Sequence, residues 1–104
     1  MSSKDGFELI IDPLADKEYH ASIDWYEEKI PNLGLDFFNE IKSVLEIIKQ
    51  NPYTFQLKKF QNREAPVKTF PFVIIYKIHP KKKEVLILSI FHTSRNPKEK
   101  HKRK

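Results

Sequence analysis

The sequence predicts an α+β fold in which an N-terminal strand and a helical hairpin precede an antiparallel sheet of about three strands, packed on the helices. Residues 13–50 repeat apolar side chains at helical spacing in two stretches, which "IPNLG" separates. Residues 70–78 and 84–92 are two β-branched and aromatic runs joined by a short polar connection, which is typical of a β-hairpin. With 104 residues, 39% of them hydrophobic, the chain has enough apolar surface for one core only.

The first strand and the first helix meet at residue 12. The stretch "FELIID", residues 7–12, approaches the alternation of a short strand. Asp12 is suited to cap the following helix, and Pro13 suits its first position, because a proline there loses no hydrogen bond. The helix should end near Pro31. Its apolar face comprises Leu14, Tyr19, Ile23, Tyr26 and Ile30.

A second amphipathic helix follows after a short turn. Its apolar face is predicted to comprise Leu35, Phe38, Ile41, Leu45 and Ile48. The helix should end at Asn51, because the residue before a proline is driven out of the helical region, and Pro52 follows. Since the turn between the helices is short, we expect them to form an antiparallel hairpin.

The second half of the chain contains the sheet. From Pro52 to Pro71 the sequence indicates loop or broken strand, with an irregular strand near residues 63–69, because prolines 66 and 71 remove ladder donors. The two later runs are apolar on both faces. A strand of this kind is covered on both faces, and the helical hairpin must cover at least one of them.

Charge is divided unevenly along the chain, although the net charge is only +5. Residues 12–50 carry nine acids against four lysines, whereas residues 51–104 carry fourteen bases against three acids. The second half should therefore attract polyanions, through a field that salt screens. We expect residues 1–97 to form a single domain and residues 98–104 to be a disordered basic tail.

Several classes of site are not indicated. The chain has no cysteine, so it has no disulfide or thiolate metal site, and its four histidines are scattered. We expect neither a metal nor a cofactor. No apolar run approaches the roughly 18 residues that span a bilayer, and the N-terminus lacks a signal peptide. The sequence therefore predicts a cytoplasmic protein without a membrane partner.

Four fragments in this order resemble the RelE/ParE superfamily of small toxins from bacterial type II toxin–antitoxin systems. The first two are the apolar spacing of the first helix and the run that ends in "NP" after the second. The third runs from Arg63 to Ile78 and contains "FPFVIIYKI", and the fourth is "ILSIFHTSRNP", from Ile87 to Pro97. The resemblance covers residues 7–97 and implies the same order of elements.

Within the superfamily, the sequence resembles the ParE-like, plasmid-stabilisation branch more than the RelE-type endoribonucleases. RelE-type members carry an arginine three residues before the tyrosine that corresponds to Tyr76, where this chain has Val73. Two more of their catalytic positions are occupied here by Thr93 and Glu99. Valine and threonine cannot stabilise a pentavalent phosphate as a guanidinium does, and a glutamate repels it. The resemblance therefore implies a toxin that inhibits growth by binding a target such as DNA gyrase.

His92 and Arg95 are the main candidates for chemistry. Metal-free RNA cleavage needs a base, an acid and cations on the phosphate, and the catalytic candidates for it are His92, Arg95 and Lys68. Positions 92 and 95 converge only if the strand ends between them, which "TSRNP" favours. The alternative is structural: His92 caps the sheet through a hydrogen bond, and Arg95 pairs with Asp16 or Glu18 on the first helix.

The resemblance also implies a cognate antitoxin, whose acidic C-terminal segment folds on the toxin. The residues predicted to bind the antitoxin or the target are Arg63, Lys68, Tyr76, His92 and Arg95. Arg63 is equally suited to tie a loop to the sheet, and Trp25 is interpreted as a packing or interface residue. Two alternatives stay open: an endoribonuclease with RNA or the ribosome as its partner, and a non-toxic remnant that binds only an antitoxin.

Overall fold

The computed structural model describes residues 6–101. Its helices and strands are β1 (Glu8–Ile11), α1 (Pro13–Lys29), α2 (Leu33–Gln50), β2 (Gln56–Leu57), β3 (Asn62–Pro66), β4 (Phe72–His79) and β5 (Glu84–His92). Short 3₁₀ turns occupy Lys59–Gln61, Pro80–Lys82 and Pro97–Glu99. The predicted order of a strand, a helical hairpin and a sheet is confirmed. Neither helix is long and apolar enough to span a membrane.

The five strands of the described residues form one sheet in the order β1-β5-β4-β3-β2. β1 runs parallel to β5, and the other neighbouring strands are antiparallel. The strands expected after the hairpin correspond to β3, β4 and β5, and the two-residue β2 extends the sheet beyond β3. Because β1 is only four residues long, it leaves the last residues of β5 without a strand on that side.

Helix α1 begins where the sequence predicts. Asp12 Oδ1 accepts a hydrogen bond of 2.8 Å from the Leu14 N–H, and Pro13 is the first helical residue. Three residues of the predicted apolar face pack against the core: Tyr19, Ile23 and Tyr26. The other two, Leu14 and Ile30, lie at the ends of the helix and are exposed. The core thus contacts α1 from Ala15 in its first turn to Tyr26.

The start of α2 is held against α1 by Glu27. Its two carboxylate oxygens accept hydrogen bonds of 2.9 Å from the backbone N–H groups of Asn32 and Gly34. The helices approach so closely here that a Cβ on Gly34 would lie 2.6 Å from the carbonyl oxygen of Ile23. A glycine is therefore required at this crossing.

The predicted apolar face of α2 is wrong at two positions. Leu35 is 54% exposed and Phe38 is 36% exposed, whereas Phe37 and Val44 lie in the core. The other predicted residues are buried: Ile41, Leu45 and Ile48. Helical periodicity defines a broad apolar stripe, and it does not decide by itself whether residue 37 or residue 38 faces the core. The packing of α1 and of the sheet decides which of the two phenyl rings is enclosed.

The sheet face opposite the helices is covered by the C-terminal segment, residues 95–101, which we call the strap. The guanidinium of Arg95 lies 4.6 Å from the centre of the Phe91 ring. Phe91 and Ile75 are each 1% exposed, although neither belongs to the helix-side core cluster. The two apolar faces of the sheet are therefore covered by different elements, one by the helices and the other by the strap.

The end of the strap is anchored on β3. Lys100 Nζ and His101 Nε2 lie 3.3 Å and 2.6 Å from the two carboxylate oxygens of Glu64. His101 Nδ1 also lies 3.2 Å from the amide nitrogen of the buried Asn62. The sequence predicts that residues 98–104 are disordered. The structure instead gives the first four of them, residues 98–101, a defined position, because the fold brings Glu64 within reach of Lys100 and His101. Residues 102–104 lie outside the described residues.

Alkaline pH is expected to destabilise this fold. Burial raises the pKa of Tyr19 and of Tyr76 from 10.0 to about 12. The unfolded chain releases both protons near pH 10, whereas the folded chain retains them until about pH 12. Their contribution to the free energy of unfolding is thus complete below pH 10 and is lost as the pH rises from 10 to 12. Denaturation at a series of pH values measures this loss.

The double variant Tyr19→Phe/Tyr76→Phe is the control for the tyrosine prediction, because phenylalanine does not titrate. Its free energy of unfolding should depend less on pH across the same window. An unchanged pH dependence in the double variant would contradict the assignment to these two residues.

Candidate functional site

The end of β5 brings two of the predicted residues together. β5 ends at His92, Thr93 and Ser94 turn the chain, and the Arg95 N–H donates to the His92 carbonyl oxygen at 3.1 Å. Both side chains line a groove of about 380 Å³ between α1 and β5. The other groove residues are mostly apolar: Glu18, Ala21, Ser22, Trp25, Tyr26, Phe72 and Ile90. The predicted convergence of positions 92 and 95 is therefore observed.

Glu18 connects α1 to the end of β5. Its Oε1 accepts 3.0 Å hydrogen bonds from the Ser89 hydroxyl and from the Ile90 N–H. Its Oε2 accepts a 2.9 Å hydrogen bond from Arg95 Nη1. β1 has already ended at Ile11, so Ile90 has no strand partner on this side, and the carboxylate takes the place of the missing strand.

Arg95 is thereby engaged on both sides. In addition to Glu18, its Nη2 faces the Glu99 carboxylate of its own strap at 3.4 Å. Of the two acids proposed from the sequence as its structural partners, Glu18 is the one observed. Asp16 instead lies 3.3 Å from His20, one helical turn away. The structural interpretation of Arg95 is consistent with this geometry.

His92 is oriented by the turn that follows it. Its Nδ1 accepts a 3.0 Å hydrogen bond from the Ser94 N–H and lies 2.7 Å from the Ser94 hydroxyl. Its ring packs edge-on against Phe72, with the ring centres 4.9 Å apart. In the neutral tautomer that suits a backbone donor at Nδ1, the proton is on Nε2. His92 is therefore arranged as a hydrogen-bond donor through Nε2.

Lys68 lies at the same end of the sheet as His92. It is exposed in the loop between β3 and β4, and this loop is joined to the end of β5 by a 2.8 Å hydrogen bond from the Thr93 N–H to the Pro71 carbonyl oxygen. No hydrogen bond or ion pair joins Lys68 to His92 or Arg95. Lys68 is thus a neighbour of the groove with an exposed cation.

Arg63 and Tyr76 are not part of this site. They face each other in the register of β3 and β4. Arg63 Nη1 donates to the Phe55 carbonyl oxygen at 2.8 Å, and the buried Tyr76 hydroxyl donates to the Pro52 carbonyl oxygen at 2.7 Å. Both side chains therefore fasten the loop after α2 to the sheet, and the five predicted binding residues divide into two groups.

Trp25 forms the exposed part of the groove wall. Its side chain is 54% exposed, with the Tyr26 ring edge-on at 5.1 Å and Lys29 Nζ 4.8 Å from the ring centre. The sequence indicates a packing or interface role, and the structure puts the ring at the surface and outside the core. Within residues 6–101 no cluster of three or more histidine or acidic side chains is arranged to hold a metal ion.

The profile of one protein family matches residues 9–97, and its description is ParE toxin of type II toxin–antitoxin system, parDE. This match covers most of the chain. The chain belongs to the ParE toxin family. It is therefore a toxin of a type II toxin–antitoxin system.

The fold of this ParE toxin is also similar to solved structures, ten chains of which match. One belongs to a structure described as the chromosomal ParDE TA system from P. aeruginosa, with a TM-score of 0.72 and 21% sequence identity. The match covers 83% of the present chain and 95% of that chain. At this identity the similarity shows the fold alone. No curated protein matches the sequence.

The ParE toxin has no cation at the three positions where the sequence departs from RelE-type enzymes. Val73 faces Phe91 in the register of β4 and β5, and it alternates with Phe72, so it points away from the groove. Thr93 is exposed in the turn, and Glu99 pairs with Arg95. Two further residues of the site were not singled out by sequence patterns: Ile90 lines the groove, and the Ser89 hydroxyl donates to Glu18.

Proposed function

We propose that this toxin inhibits growth by binding its target, DNA gyrase, and that it performs no chemistry of its own. The observation that carries the proposal is the position of Arg95 between the carboxylates of Glu18 and Glu99. A guanidinium that stabilises a phosphate transition state has to face the substrate with its charge uncompensated. Here two carboxylates compensate that charge, and Glu18 also holds β5.

His92 supports the same proposal. RNA cleavage without a metal needs a base that removes a proton from the 2′-hydroxyl. The Ser94 N–H occupies Nδ1 of His92, so in the neutral tautomer the nitrogen that remains carries a proton. Such a ring donates a hydrogen bond to a bound partner and does not accept a proton through Nε2.

The groove suits the antitoxin that neutralises the toxin. The acidic C-terminal segment of a cognate antitoxin would occupy the groove end, with apolar side chains against Trp25 and carboxylates near the exposed Lys68 and the Nε2 of His92. Charged groups at such a rim mainly speed association, whereas the apolar groove provides most of the lasting contact. The complex would form in the cytoplasm, where the antitoxin and the target are made.

Induction of the toxin without its antitoxin tests the proposal. We expect growth arrest with altered plasmid supercoiling and intact mRNA, because a gyrase-binding toxin stops the enzyme and leaves RNA uncut. Co-expression of the antitoxin gene should restore growth. The matched control carries a stop codon at Tyr19, and the readouts are topoisomer distribution on gels and mapping of mRNA 5′ ends.

Two other outcomes would overturn the proposal. New mRNA ends within minutes of induction would identify an endoribonuclease that acts on RNA or at the ribosome, with His92, Arg95 and Lys68 as the residues to test. Unaffected growth despite abundant folded protein would identify a non-toxic remnant that only binds an antitoxin.

A further inference from the structure

The end of the sheet opposite the groove carries five exposed lysines in two adjacent turns, and we call it the lysine end. The turn between β2 and β3 and the turn between β4 and β5 contribute them: Lys58, Lys59, Lys81, Lys82 and Lys83. Asn62, the first residue of β3, pairs with Lys77 near the end of β4. Neighbouring strands lie about 4.8 Å apart, so the two turns project side by side.

These charges are poorly compensated by the fold. Among residues 6–101, none of the ion pairs involves Lys58, Lys59, Lys81 or Lys82. The nearest acids in the register, Glu8 and Glu84, face each other on the β1 side of the sheet. Glu64 of β3 is already paired with the strap. The side of the lysine end near β3 therefore presents positive charge to the solvent.

An aromatic ring stands among these lysines in an unfavourable backbone conformation. Phe60 has a φ of 57° and is 52% exposed, and Gln61 has a φ of 68°. Lys83, in the other turn, has a φ of 54°. Bulky residues rarely adopt these values, which glycine adopts freely. Strain of this kind is characteristic of functional positions, and here it presents a phenyl ring to the solvent beside the cations.

We propose that the lysine end binds single-stranded nucleic acid, with the lysines on the phosphates and Phe60 stacked on a base. Lysine is a compact point charge that suits a row of singly charged phosphates, and exposed aromatic rings beside a basic surface stack on unpaired bases. Carboxylates of an acidic protein are best recognised by an arginine fork. Among residues 6–101, the arginine beside these turns is Arg63, and it donates to the Phe55 carbonyl oxygen instead. Nucleic acid is therefore the better fit.

The lysine end is separate from the groove, so this proposal extends beyond the proposed function and does not depend on it. A toxin that fails to affect supercoiling can still bind nucleic acid at its other end. Conversely, if the lysine end binds no nucleic acid, the toxin can still inhibit gyrase, and only the proposal for the lysine end fails.

Binding of the full chain to labelled single strands of about 16 nucleotides, DNA and RNA of the same sequence, tests the proposal. Four phosphate contacts, one each for Lys58, Lys59, Lys81 and Lys82, predict that affinity falls about 50-fold between roughly 50 and 200 mM salt. The variants Lys58→Gln/Lys59→Gln and Lys81→Gln/Lys82→Gln should each weaken binding about tenfold at low salt and reduce the slope of the salt dependence by roughly 1.4. Whichever of DNA and RNA binds more tightly identifies the source of the strand. Fluorescence anisotropy measures these constants.

Phe60→Gly tests the stacking contact. Glycine adopts the left-handed backbone without strain, so this variant should fold at least as stably as the natural chain while binding single strands several-fold more weakly. Unchanged affinity would overturn the stacking part of the proposal.

The matched control is Lys17→Gln/Lys42→Gln, which removes the same charge from exposed positions of α1 and α2. Its binding and salt slope should stay near those of the natural chain. An equal loss in this control would mean that net charge alone drives binding and would overturn the site. Equal competition by a polyglutamate peptide of the same charge would identify an acidic protein as the partner instead.

Discussion

Replacement of Glu18 by alanine is expected to lower the free energy of unfolding by about 3 kcal/mol. The side chain is only 18% exposed, and it accepts hydrogen bonds from Ser89, from the Ile90 N–H and from Arg95. Alanine leaves the Ser89 hydroxyl and the Ile90 N–H without this acceptor, and Arg95 keeps only Glu99. Unsatisfied donors in a partly buried site are strongly destabilising. Equilibrium unfolding in urea measures the change.

Asp24→Ala is the matched control for Glu18, because Asp24 is an exposed acid on the same helix. It should change the free energy of unfolding by less than about 0.5 kcal/mol. Hydrogen exchange adds an independent readout: the Ile90 amide should lose protection in Glu18→Ala and keep it in Asp24→Ala. Equal stability of the two variants would show that Glu18 does not hold β5.

Replacement of Phe37 by alanine should lower the free energy of unfolding by about 4 kcal/mol, whereas Phe38→Ala should lower it by about 1 kcal/mol or less. Phe37 is fully buried, and its ring centre lies 4.9 to 5.2 Å from those of Tyr26, Phe70 and Phe72. Phe38 is 36% exposed, and its ring stacks on that of Tyr19 with the centres 5.9 Å apart. Adjacent phenylalanines on one helix thus provide an internal comparison.

A second, milder variant of Phe37 is needed, since the loss of unfolding free energy expected for Phe37→Ala can unfold a small domain. Phe37→Leu keeps most of the buried volume and should lose only about 1 to 1.5 kcal/mol, so it should remain folded. Equal losses for Phe37→Ala and Phe38→Ala in urea denaturation would show that the core is not organised around Phe37.

The roles of the two ends of the molecule follow from how their cations are partnered. At the groove end, Arg95 is compensated by Glu18 and Glu99, and the surrounding wall is apolar. At the lysine end, Lys58, Lys59, Lys81 and Lys82 are exposed, and none of the ion pairs among residues 6–101 involves them. The positive charge of the second half of the sequence is therefore concentrated away from the residues first considered for chemistry.

Local patterns predicted the elements of this chain well. The start of α1 at Pro13 and the span of β5 at 84–92 agree with the sequence, because capping and strand alternation are decided by residues within a few positions of one another. The resemblance to the toxin superfamily likewise depends on short fragments in a fixed order, and the family match over residues 9–97 confirms the ParE-like prediction.

What the sequence determined by itself was thus the order of the helices and main strands, the limits of α2 and β5, the family and the divided charge, since these depend on neighbours along the chain. The tertiary structure alone decided the partners of the candidate residues. Glu18 meets Ile90 and Arg95 across 72 and 77 positions, and the strap reaches Glu64 across the sheet. Such contacts depend on how the helices and the sheet pack, which no local pattern encodes. For that reason Phe37 replaced Phe38 in the core, and the five predicted binding residues separated into two groups.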